Sequence, residues 1–181
     1  MTGAVRPTRA KFPVPRRLQF LLRDGTAVDG VVKVGSGQSL MAFLNSRSGW
    51  MSMTQAKRSR SGDEPGHLLI QTDQIIMASA PDGDVQVAST PLGLTVDERI
   101  VELVLMGGHV VRGYLPAAAG QRISDCIAAS GKFMGVTLAR LFPERKDVGD
   151  VAIATAALTM VRDLRGSAPE PKPEPKPEPE Q

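Results

Sequence analysis

Apolar residues in this chain come in short runs separated by turn formers. The first two runs, Leu18 to Leu22 and Val28 to Val34, are split at Asp24-Gly25. Two apolar runs around a tight Asp-Gly turn predict a β-hairpin. The segment Gln38 to Asn45 follows, with Leu40, Phe43 and Leu44 at i, i+3 and i+4. That spacing predicts a helix of about two turns whose apolar face plugs the open side of a small sheet. Trp50 to Thr54 predicts a third strand, Lys57 to Pro65 a charged loop, and His67 to Thr72 with Gln74 to Ala78 a closing pair of strands.

The same pattern recurs 83 positions later. Leu22, Gly25, Val28 and Gly30 fall on Leu105, Gly108, Val111 and Gly113, and Gly37-Gln38 falls on Gly120-Gln121. Met51, Thr54, Gly66, Ile70, Thr72 and Met77 fall on Met134, Thr137, Gly149, Ile153, Thr155 and Met160. Shared glycines weigh most, because each marks backbone that a side chain would strain or crowd. The second set reads as a hairpin around Gly107-Gly108, a short helix with Ile123, Cys126 and Ile127 on one face, and a strand Phe133 to Thr137. A loop from Arg140 to Val148 and strands Val151 to Thr155 and Ala157 to Val161 complete it.

A tandem duplication follows. The expected fold is mainly β, with two small bent-sheet or barrel-like units of about five strands and one short helix each, related by a pseudo-two-fold. The boundaries read as a flexible basic arm at 1–15, repeat 1 at 16–80, a linker at 81–97, repeat 2 at 98–165 and a disordered Pro/Glu/Lys tail at 166–181. Alternate prolines from Pro169 to Pro179 remove donors and fix φ, so the tail is expected as a polyproline II spacer. Units this small are marginal alone and are expected to pack on each other or on partners.

Aromatic residues make up only 4% of the chain, so the cores must be aliphatic. Cys126 is the sole cysteine, which excludes an intramolecular disulfide and fits a reduced, cytoplasmic setting. Met1 to Arg17 has no apolar targeting core, and no run approaches a membrane span. A net charge of +3 is far short of a dense basic stripe.

Comparing the two copies also screens the candidate chemistry. Val32 to Ser39 resembles the end of a phosphate-binding loop, but Gln38 stands where the lysine is needed. His67 and His109 fall opposite Asp150 and Thr26, and no metal-ligand spacing is present. Cys126 sits where Phe43 sits in the first copy, which makes it a core residue rather than a nucleophile. No catalytic, cofactor or metal site is expected, and the chain is not read as an enzyme. Trp50, aligned with Phe133, is read first as a core anchor. The other reading makes Trp50, Met51 and Met53 a partner-binding patch.

An apolar strand, Asp24-Gly25, four residues, then Gly30 and a second strand resemble the opening of Sm-like small β-barrels, RNA-binding proteins that assemble as rings. The final strand pair of each copy would match their closing strands. The chain lacks that family's Asp and Asn of the RNA-contacting loop and the Arg-Gly of its closing motif, and it inserts a helix. The repeats are also similar to a small bacterial β-domain of unknown function. The expected role is a protein–protein interaction module, an adaptor or assembly component in a bacterial cytoplasm, binding a protein partner or itself through strand edges. The alternative is an Sm-like nucleic-acid binder using Lys57, Arg58, Arg60, Arg16 and Arg17.

Overall fold

The computed structural model describes residues 12–59, 62–83 and 96–164. Most of the arm, most of the linker and the whole tail lie outside the described residues. Those described are mainly β, with ten strands in one antiparallel sheet and two short helices.

In chain order the elements are β1 Pro13–Leu22, β2 Ala27–Gly35, α1 Leu40–Asn45, β3 Trp50–Arg58, β4 Gly66–Gln71 and β5 Ile75–Ser79. Then come β6 Val96–Leu105, β7 Val110–Ala118, α2 Ile123–Ala129, β8 Phe133–Phe142, β9 Lys146–Ala154 and β10 Leu158–Asp163. A single 3-10 turn, Thr72–Gln74 or Thr155–Ala157, joins the last two strands of each set. Across the sheet the order is β10-β6-β7-β8-β9-β5-β1-β2-β3-β4.

Residues identical in both halves make the same local bonds. Gly35 N–H donates to Gln38 Oε1 at 3.3 Å, and Ala118 N–H donates to Gln121 Oε1 at 3.1 Å. The hydroxyls of Thr54 and Thr137 donate to the carbonyls of Val31 and Tyr114. Thr72 and Thr155 hydroxyls donate to Gly49 and Lys132. Gly30 and Gly113 sit where the third strand crosses tightest. A Cβ on Gly30 would lie 2.6 Å from Met53 Cγ, and one on Gly113 would lie 2.6 Å from Val136 Cγ1 and 2.8 Å from the Thr137 carbonyl. The ladder shifts register at both places, and the non-glycine residues Gln55 and Leu138 adopt φ of 52° and 49° there. A bulge that sharpens the bend explains all three features.

Leu18, Phe20, Val28, Val32 and Val34 of the first hairpin are buried with Leu40, Phe43 and Leu44 of α1. Each such side chain contributes about 1.5–3 kcal/mol on burial. Six residues cannot hold a helix alone, so this packing and the cap from Ser39, whose Oγ accepts from Ala42 N–H at 3.2 Å, maintain α1.

Three expectations need correction. The strand β1 starts at Pro13, inside the stretch expected as an arm. Pro13 and Pro15 are two apart, so their ring nitrogens lie on one edge, and the β5 ladder reaches β1 only from Gln19. The charged loops are shorter than expected, because Lys57 and Arg58 belong to β3 while Arg140 to Phe142 and Lys146 to Val148 belong to β8 and β9. These ends stay in the ladder with the second strand of each set, Arg58 opposite Val28 and Phe142 opposite Val110, and carry charged pairs such as Arg140 with Asp147 that interrupt the apolar alternation.

The third concerns symmetry and closure. The sheet does not close into a barrel, since β4 and β10 are its two ends. The halves meet instead through β9 and β5, with Met77 opposite Ile153, Ala78 opposite Ala152 and Ser79 opposite Val151. A two-fold axis would also require a ladder between β4 and β10, which lie at opposite ends. Beside the β9–β5 ladder α1 packs on β8, and Asn45 bonds both backbone groups of Phe133.

Candidate interaction edges

Among the described residues β4 pairs only with β3, and β10 only with β6, so each leaves a row of backbone donors and acceptors without a strand neighbour. Natural edge strands are commonly guarded by Lys, Pro or a bulge. The β4 edge, Gly66-His67-Leu68-Leu69-Ile70-Gln71, carries no lysine and no proline. Leu69 is 58% exposed, and Met160 on β10 is 52% exposed.

Beside β4 lies a groove of about 330 Å³ lined by Leu22, Val28, Trp50, Arg58, Leu68 and Leu69, among others. Trp50 is 67% exposed, so it is not the core anchor first expected, whereas Phe133, its counterpart 83 positions on, is 3% exposed. Met51 and Met53 do not join Trp50 in a patch. Alternation along β3 turns both into the core, where Met53 packs over Gly30. Of the expected partner-binding set, only Trp50 faces solvent.

The basic residues of the nucleic-acid alternative do not share one face, since Lys57 and Arg58 are consecutive on β3. Arg17 bonds Asp29 at 2.8 Å, Lys57 bonds Glu64 at 2.6 Å, and Arg58 lies 3.9 Å from Asp63. Arg16 and Arg17 are neighbours on β1 and therefore point to opposite faces. Arg60 lies outside the described residues. Arg17, Lys57 and Arg58 each have a carboxylate partner.

Among the described residues no group of three or more His, Cys, Asp or Glu side chains could hold a metal. Likewise no helix is long and apolar enough to cross a membrane. Cys126 is buried, and burial pushes its thiol pKa up, with Arg99 opposing and Asp125 reinforcing. A neutral, inward-facing thiol is a poor nucleophile. Leu69 and Met160 were missed by sequence reasoning, although the unbroken Leu68-Leu69-Ile70 run was the available signal: an exposed single-faced strand would alternate.

No protein-family model, curated protein or solved structure matches this chain.

Proposed function

We propose that the chain is a tandem pair of five-strand units joined head to tail, acting as a non-enzymatic protein–protein interaction module, an adaptor or assembly component of a bacterial cytoplasm. One observation carries this reading: the sheet ends in two open edges, and the β4 edge exposes Leu69 and carries neither lysine nor proline. Open edges recruit a further strand through main-chain hydrogen bonds, while flanking side chains select it. Trp50, beside that edge, supplies the large amphipathic anchor that interfaces favour. In this reading the proline-rich tail is a spacer that keeps other surfaces at a distance.

The test is site-specific photocrosslinking in cells, with the crosslinking side chain placed at position 69 or 160 and, as a control, at exposed Lys33. Protein adducts at the edges but not at the control are expected. Absence of any protein adduct at both edges would reject the module. Tight oligonucleotide binding by the purified chain, weakening steeply with salt, would replace it with the nucleic-acid reading.

A further inference from the structure

The β9–β5 joint shows how one half of this chain receives the other, and residues 83 positions away present the same two surfaces unused. The β5 residues Met77, Ala78 and Ser79 correspond to Met160, Val161 and Arg162 on β10, while Val151, Ala152 and Ile153 of β9 correspond to Leu68, Leu69 and Ile70 on β4. Exposure follows pairing. Met77 is 7% exposed and Ala152 is 0% exposed inside the joint, whereas their counterparts Met160 and Leu69 are more than half exposed at the ends.

We propose that β4 of one chain pairs with β10 of a second copy, head to tail, in the register Met160 opposite Ile70, Val161 opposite Leu69 and Arg162 opposite Leu68. This deepens the interaction-module reading by naming the partner as the chain itself. Within one chain the two edges lie at opposite ends of the sheet, so the ladder forms only between copies.

Three observations beyond the strands fit this occupant. At the internal joint α1 packs on β8 and Phe133 is buried. The equivalent contact sets α2 of one copy on β3 of the next, over exposed Trp50. Size complementarity is kept by exchange: Asn45 faces Gly131, whose added Cβ would sit 2.8 Å from Asn45 Oδ1. The counterpart positions hold the smaller Ala128 and the larger Ser48, so the helix side loses the bulk that the strand side gains. Charge is compatible too, since β4 offers no carboxylate or lysine to oppose Arg162 and Asp163.

A heterologous contact propagates: it closes into a ring where the rotation per chain allows and otherwise continues as a filament. The decisive experiment uses the full chain and two edge variants, Leu69→Lys and Met160→Lys, both at exposed positions, with circular dichroism to confirm the fold. Light scattering after gel filtration should give the native chain a mass of at least twice 19.3 kDa. Each variant alone should fall at least several-fold in assembly affinity and run as a monomer. An equimolar mixture should restore a discrete dimer, because each variant supplies the edge that the other has lost.

A native chain that is monomeric up to high micromolar concentration overturns the proposal. So does a native oligomer that neither variant weakens, or a mixture that stays monomeric although each variant is folded. If the chain is monomeric yet the edge crosslinks capture a different protein, self-pairing fails while the interaction module stands. If the edges crosslink to nothing, both fail.

Discussion

Asn45 satisfies both backbone groups of Phe133: its Oδ1 accepts from the Phe133 N–H at 2.8 Å and its Nδ2 donates to the Phe133 carbonyl at 3.3 Å. The two residues are 88 positions apart, so one side chain at the end of α1 reproduces a strand-like bond pair at the start of β8. With Lys132 Nζ donating to the Arg47 carbonyl at 3.1 Å, it fastens the halves beside the short β9–β5 ladder.

Asn45→Ala leaves a half-buried amide and carbonyl without their partner. A loss of about 1–3 kcal/mol is expected, read as a lower urea midpoint at unchanged slope. An unchanged midpoint would show that water replaces the amide at no cost.

Phe133→Ala should cost about 3–5 kcal/mol, whereas Trp50→Ala should change the stability of the isolated chain by no more than about 0.5 kcal/mol. Trp50 is the only tryptophan, so fluorescence reports on it alone. Its emission should be that of a water-exposed indole in dilute protein and should shift to shorter wavelength as chains associate.

Gly30→Ala and Gly113→Ala should both destabilise, by about 1–3 kcal/mol. Gly113→Ala should be the worse of the two. Both new Cβ atoms meet a backbone carbonyl, Thr54 at 2.9 Å and Thr137 at 2.8 Å, but the one at Gly113 also meets Ala139 Cα at 3.2 Å and stiff Val136, where the one at Gly30 meets flexible Met53. Thermal midpoints of the two variants provide the comparison.

Cys126 gives the fold a pH dependence on the alkaline side. Burial raises the thiol pKa in the folded chain above its unfolded value, so the folded state holds its proton where the unfolded state releases it. The stabilisation is complete below about pH 8.5, the ordinary thiol pKa. It declines as pH rises through the folded value. Urea midpoints should therefore fall on the alkaline side in the native chain and fall less in Cys126→Ala. At neutral pH a thiol reagent should label native protein far more slowly than urea-unfolded protein.

Much of the local structure was legible in the sequence. Hairpins around Asp24-Gly25 and Gly107-Gly108, two short helices and closing strand pairs all follow from spacing, because alternation and i, i+3, i+4 patterns reflect contacts made within a few residues. The same holds for Gly30 and Gly113, whose coincidence marked a backbone crossing before its neighbours were known. The strand ends at Lys57–Arg58 and Arg140–Phe142 were read as loop because charged residues there break the apolar alternation that signals a strand.

What the chain's pattern determined by itself is thus each element and its recurrence at 83 residues. Only the tertiary structure decided how the halves meet. Trp50 and Phe133 occupy the same place in the same local pattern, yet one is exposed and the other buried, because α1 packs against β8 and, among the described residues, no helix makes a comparable contact with β3. Met77 and Met160 differ for the same reason: β5 has β9 beside it, and among the described residues β10 has no second strand neighbour. Burial at such positions depends on what occupies the far side of an edge, a property of distant chain that no local pattern records.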